Sequence, residues 1–132
     1  MSYKYVGWEK VARAQYLMDN PPATPTTPTT PPSINNSILI NSSSSPYLIK
    51  IDDYLIIVTI NNSSVTLVLP VLSSVSVGKE YVIKTDSTAS VSNQVIVQAT
   101  GTDLIDGQRT FVLDDAYSAL TVISSTQGWM IF

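Results

Sequence analysis

Two short stretches, Val65-Thr-Leu-Val-Leu69 and Gln94-Val-Ile-Val-Gln98, decide the fold class of this chain of 132 residues. Successive side chains of an extended strand point to opposite faces, so Val65, Leu67 and Leu69 share one side and Thr66 the other. Val95 and Val97 repeat the pattern between two glutamines, and Leu120 and Val122 repeat it around Thr121. A period of two marks a half-buried strand and does not fit an amphipathic helix. Working outward, the same texture predicts strands over Ser37–Asn41, Tyr47–Ile51, Tyr54–Ile60, Val65–Leu69, Glu80–Lys84, Gln94–Ala99, Thr110–Leu113, Ala119–Ser124 and Gly128–Phe132. They are rich in Ile, Val, Leu, Tyr and Thr, with Ser, Asn, Asp and Gly between them. Asn61-Asn-Ser-Ser64 and Asp106-Gly107 read as hairpin turns. Short strands with no helical period between them predict an all-β domain over residues 33–132, an antiparallel, jelly-roll-like β-sandwich. No repeat of 20 to 50 residues is legible, which argues against a solenoid.

Tyr54-Leu-Ile-Ile-Val-Thr-Ile60 breaks the alternation, with apolar residues on both faces. A strand wet on one side does not read this way. It is either central and covered twice, or its second face meets another subunit. Tyr54, Ile56 and Val58 are the candidate oligomer-interface residues.

Before the β-rich part the chain changes character. Pro21-Pro-Ala-Thr-Pro-Thr-Thr-Pro-Thr-Thr-Pro-Pro32 holds six of the eight prolines. Proline fixes φ and donates no ladder hydrogen bond, so residues 21–32 read as an extended linker, roughly 37 Å long at polyproline rise. Residues 1–20 lie on its other side. Trp8–Met18 is a run of helix formers without Gly or Pro, and Asn20 before Pro21 is a stop signal. An isolated helix of this length is marginal in water and needs a surface to dock on. Tyr3, Tyr5, Trp8, Val11, Tyr16, Leu17 and Met18 are therefore the candidate residues of an anchor peptide that buries rings in a larger partner; folding back on the β module is the alternative, which the long proline spacer disfavours.

Composition removes several functions. The net charge is −3, with seven Lys and Arg against ten Asp and Glu, which argues against binding nucleic acid. No apolar run approaches the ~20 residues that span a bilayer, and Lys4, Glu9, Lys10 and Arg13 interrupt the N-terminus where a signal peptide needs an apolar core. With neither cysteine nor histidine, disulfides, thiolate chemistry and Cys or His metal ligands are excluded. No Gly-rich phosphate loop occurs, and the serines have no histidine to activate them. The carboxylate groupings Asp52-Asp53, Asp103, Asp106 and Asp114-Asp115 sit in turn-like sequences. Adjacent aspartates in a strand face opposite ways, so a pair alone makes neither a calcium site nor an acid–base couple. The expectation is no enzyme, no cofactor and no metal. The Asn-x-Ser sequons at Asn35, Asn41, Asn61 and Asn62 read as turn residues. Tyr47, Tyr54, Tyr81, Tyr117 and Trp129 are rings that could stack on sugars, although rings in a small β module more commonly belong to its core.

From Val65 onward the chain also has a recognisable cadence. Val65-Thr-Leu-Val-Leu-Pro70 is followed by Gly78-Lys-Glu-Tyr-Val-Ile-Lys84 and Val95-Ile-Val97. Gly101-Thr-Asp-Leu-Ile-Asp-Gly107, Leu120-Thr-Val-Ile123 and Gly128-Trp-Met-Ile131 complete it. In order and spacing this half of the chain resembles a module at the distal ends of phage and giant-virus fibre proteins. The resemblance implies a small β knob, assembled as a homotrimer on a virion appendage. It implies a structural or attachment protein and carries over no receptor-facing residue. One anchor peptide, one linker and one knob suit a short capsid (head) fibre or decoration protein. Its N-terminus would hold the major capsid or another virion protein, and the knob would meet a host cell-surface glycan or protein. A tail-fibre tip and a carbohydrate-binding module are the alternatives. The last would show an exposed aromatic strip. The loops Ser87–Ser92, Gly101–Gly107 and Asp114–Tyr117 are the candidate contact loops.

Overall fold

Buried and half-buried residues alternate along the chain as the sequence pattern requires. Glu80–Thr85 and Val95–Gln98 follow the period of two without a break. The computed structural model describes residues 36–132. The anchor peptide, the linker and the seven candidate anchor residues Tyr3, Tyr5, Trp8, Val11, Tyr16, Leu17 and Met18 lie outside the described residues. The strands are β1 (Asn36–Asn41), β2 (Tyr47–Leu48), β3 (Asp53–Thr59), β4 (Val65–Val68), β5 (Glu80–Thr85), β6 (Val95–Gln98), β7 (Thr110–Leu113), β8 (Ala119–Ser124) and β9 (Trp129–Ile131). The helical segments among the described residues are two 3-10 turns, Ser42–Ser44 and Leu72–Ser74.

The strands form two mixed sheets, one of five strands in the order β1-β3-β5-β8-β9 and one of four in the order β2-β4-β6-β7. From β1 to β6 each strand lies in the opposite sheet to the one before it. Its hydrogen-bonded neighbour is therefore the strand two places on, and the pairing is parallel: β1 with β3, β3 with β5, β2 with β4 and β4 with β6. Only β7, β8 and β9 pair antiparallel.

This corrects the antiparallel expectation, and the reason is physical. Alternation shows which face of a strand is dry and says nothing about the direction of its neighbour. Asn61–Ser64, expected as a hairpin turn, instead carries the chain across from β3 to β4. Asp106-Gly107 is a tight turn, with φ of 45° and 81° and an antiparallel bridge between Ile105 and Gln108. The winding of the first six strands also corrects the argument against a solenoid. Ile38, Ile56 and Ile83 stand side by side at steps of 18 and 27 residues. Tyr47, Leu67 and Val97 do so at 20 and 30. Coils of such unequal length leave no fixed period to find.

One apolar core draws on both sheets. Ile56, Val58, Tyr81, Ile83 and Val122 come from the five-stranded sheet, and Val65, Leu67, Val95 and Val97 from the other, all fully buried. Ile56 and Val58 are 0% exposed within their own subunit, so they are core residues and not the oligomer interface expected of them. Tyr54 is half-buried at a bulge, where the register slips between Asn36 and Ser37. The outward residues of β3 are Leu55, Ile57 and Thr59.

Trp129 and Tyr81 fill one end of the core with tilted rings 5.7 Å apart. Gly128, next to Trp129, has a φ of 148°, and a Cβ there would stand 3.0 Å from the carbonyl oxygen of Leu104. Two stability losses are expected in urea titrations. Ile56→Ala should cost ~2–5 kcal/mol through the cavity it leaves. Gly128→Ala should cost about 1–3 kcal/mol through backbone strain and that contact.

Candidate binding surface at the far end of the module

The topology sorts every connection to one of two ends. Strands β1, β3 and β5 begin at the end where the described chain starts, called here the near end. They finish at the far end, so residues 42–46, 60–64, 86–94 and 114–118 all lie at the far end. Residues 49–52, 69–79, 99–109 and 125–128 lie at the near end. Two of the three candidate loops, Ser87–Ser92 and Asp114–Tyr117, therefore come together, and Gly101–Gly107 stands at the opposite end.

Far-end loops are polar and tied to one another by side chains. Ser42 Oγ donates to the Ser63 carbonyl at 2.7 Å and accepts from the Asn61 N–H at 2.9 Å. Ser45 Oγ accepts from the Thr66 N–H, and Ser64 Oγ from the Gln94 N–H. Asp86 is the central node. Its Oδ2 accepts from Thr59 Oγ1 at 2.6 Å, and its Oδ1 accepts from the Thr88 N–H at 2.9 Å and from the Thr88 hydroxyl. Thr88 Oγ1 in turn accepts from the Ile60 N–H at 2.7 Å. Burial alone would raise the Asp86 pKa. The hydrogen bonds from Thr59, Thr88 and its own N–H outweigh that and hold it below the usual carboxylate range.

Tyr117 stands on this frame. Its N–H donates to the Asp86 carbonyl at 3.1 Å, and its own carbonyl accepts from Lys84 Nζ. It has a φ of 58° and is 65% exposed. A bulky residue in the left-handed region persists only where its surroundings hold it there, and such positions cluster at functional sites. Beside it the 85–118 pair is closed by Thr85 Oγ1, which accepts from the Ser118 N–H at 2.8 Å and donates to the Asp115 carbonyl at 2.9 Å. Val91, 75% exposed, and Asp115 complete a surface of hydroxyls, amides and carboxylates around one ring. Its chemistry is that of hydrogen bonding and stacking. No combination of nucleophile and base is assembled there.

The other candidate residues are absorbed by the fold. Asp103 Oδ2 accepts from the Leu72 N–H at 2.8 Å, and Asp106 Oδ1 from the Ile131 N–H at 3.3 Å. Asp53 is buried, and its Oδ2 accepts from Tyr47 Oη at 2.8 Å and from the Lys50 N–H at 2.9 Å. Burial first, then the hydrogen bond to Asp53 and its charge, push the Tyr47 phenol up to about 12. Burial and then the Asp53 and Asp52 charges push Tyr81 to the same value. Lys79 Nζ donates to the Asp53 carbonyl at 3.0 Å and lies 4.8 Å from the Tyr81 ring centre. Among the described residues no group of three or more His, Cys, Asp or Glu converges as metal ligands would. A near-end hollow of about 240 Å³ lies between Leu104–Gly107 and Gln127–Met130, below the ~300 Å³ where ligand pockets begin. Of the five rings considered for sugar stacking, Tyr81 and Trp129 are buried, Tyr47 and Tyr54 half-buried, and only Tyr117 stands clear. They form no aromatic strip.

Sequence reasoning named Tyr117 but missed Asp86, whose backbone carbonyl accepts from the Tyr117 N–H and whose carboxylate ties Thr59 to Thr88. Asp86-Ser-Thr88 has the form of an Asx turn, and that was its one legible signal. A scan against protein-family models finds no match, and a search of curated proteins finds no relative.

The sign of the Asp86 effect fixes a pH dependence. Its folded pKa is lowered, so its contribution to stability is complete above the unfolded value, ~3.9, and is lost as pH falls through the folded value. The urea midpoint should fall as the pH drops below ~4, and Asp86→Asn should be less stable at neutral pH with a flatter acid limb.

Proposed function

We propose that this chain is a virion structural protein, a short capsid fibre or decoration protein. Its N-terminal peptide anchors it to the major capsid or another virion protein, and its β-knob is presented for host-surface attachment. The observation that carries this reading is the separation of the two ends. The described chain begins at the near end, and the polar loops with clamped, exposed Tyr117 lie at the far one. The fibre-like cadence from Val65 to Ile131 supports the virion setting, and the linker supports a spacer role. That resemblance also supplies the homotrimer. The knob acts by binding a cell-surface glycan or protein, without a cofactor, nucleic acid or membrane insertion. Catalysis would need a reacting constellation, whereas the Asp53, Asp103 and Asp106 carboxylates each accept from backbone N–H groups of the fold.

Deletion of residues 1–20 should abolish incorporation into particles while the β module stays folded. Truncated protein on particles at normal occupancy would place the anchor elsewhere. Tyr117→Ala should weaken adsorption to host cells by tenfold or more, at the upper range for an exposed ring in a contact. Substitutions at Gly101–Gly107 should leave adsorption unchanged. Turnover of a cell-surface polysaccharide by purified protein, lost in Asp103→Asn or Asp106→Asn, would replace this reading with an enzymatic one.

A further inference from the structure

The far end differs from the rest of the module in its charge. Its loops, residues 42–46, 60–64, 86–94 and 114–118, hold Asp86, Asp114 and Asp115 and neither lysine nor arginine. Lys84, near the end of β5, reaches this surface, but its ammonium donates to the Tyr117 carbonyl. Lys50, Lys79 and Arg109, the other cations among the described residues, belong to the near end. Of the three aspartates, Asp86 is taken up by Thr59 and Thr88 and Asp114 is half-buried, which leaves Asp115 exposed. The far end is also poor in apolar surface. Among the large apolar side chains exposed in residues 36–132, only Val91 and Tyr117 stand there, and the others lie at the near end or on the sheets.

We propose that the Tyr117 surface recognises an uncharged glycan. The inference rests on the attachment reading above and names the class of ligand for it. A polysaccharide carrying phosphate, sulfate or carboxylate needs cations to meet it, and here it would face carboxylates and one ammonium already engaged. An ammonium ligand is held by a cage of rings, and the far end offers one ring. A protein partner needs an apolar centre that sheds its water around buried anchors, which a single protruding ring among hydroxyls does not give. A sugar fits what is there. Its face of C–H groups stacks on the Tyr117 ring, and its hydroxyls exchange hydrogen bonds with the serine, asparagine and Asp115 side chains of the rim. The Tyr117 backbone is held on both sides, its N–H on the Asp86 carbonyl and its carbonyl on Lys84, so little freedom is lost when the ring is engaged. One stacked ring makes a weak site. The proposed homotrimer offsets this by presenting three such sites to a repeating polymer, a gain that a solitary protein receptor would not supply.

The test is binding of the full chain to host cells. Binding should survive protease treatment of the cells and fall tenfold or more once periodate has cleaved the vicinal diols of their glycans. Between ~20 and ~500 mM NaCl it should change less than about threefold, because no ligand charge is met in the contact. Asp115→Asn removes the charge and keeps an oxygen that accepts from a hydroxyl, and it should have an equally small effect. Tyr117→Phe should retain binding, and Tyr117→Gly should lose it at least tenfold. Glycine takes a φ of 58° without strain, so this variant removes the ring while the loop keeps its shape. Binding that protease destroys, or that periodate leaves intact, overturns the inference. A tenfold loss with salt or in Asp115→Asn overturns it in favour of a charged ligand. Each of these results leaves the attachment reading standing, whereas a chain that binds host cells under no condition overturns that reading and this inference together.

Discussion

From β1 to β6 every strand must give one face to the strand that follows it in the chain, because successive strands lie in opposite sheets. That constraint organises the molecule. It gathers Ile56 and Val58 of one sheet and Val65 and Leu67 of the other into one buried core, and neither sheet can bury its inner face without the other. It also sends each connection over an end of the module rather than along its side. The loops are thus gathered into two clusters by the winding, before any of their own chemistry is considered.

The far cluster shows what this arrangement gains. Loops that merely met at one end would be mobile, since they bury little apolar surface. Here hydroxyls and one carboxylate take the donors that the crossing strands leave free: Ser42 serves Asn61, Ser45 serves Thr66, Ser64 serves Gln94, and Thr88 serves Ile60. The hydroxyls of a serine- and asparagine-rich sequence thus tie the far-end loops to one another, and Asp86 and Lys84 hold Tyr117 at the same end.

Much of the fold was legible because inward positions are written directly into the strands. Val65, Leu67, Val95, Val97, Leu120 and Val122 all lie where alternation put them, and all are buried. Strand direction was not legible, since a period of two reads the same both ways. The repeat was hidden because its coils differ in length. Tyr54–Ile60 was read correctly as apolar on both faces but its faces were assigned in reverse: Ile56 and Val58 point in, and Leu55 and Ile57 point out. The bulge at Tyr54 makes that parity hard to read from the sequence. The binding surface was half legible. Its exposed ring was among the candidates, but its central carboxylate, Asp86, looks like any turn aspartate until Thr59, twenty-seven residues earlier, is brought beside it.

The reversal at β7 and β8 bears on how such a winding ends. A parallel coil exposes, after its last turn, two strands whose free hydrogen-bonding edges would accept another coil from any chain. Here β8 closes the edge of β5 and β7 closes that of β6, both running the wrong way for the coil to continue. Growth is blocked at this terminus by a change of direction rather than by a separate capping element. At the opposite terminus, β2 is only two residues long, and β1 ends in asparagine on both sides. Turns inserted before β5 would therefore lengthen the coil while leaving β7, β8 and β9 to end it in the same way.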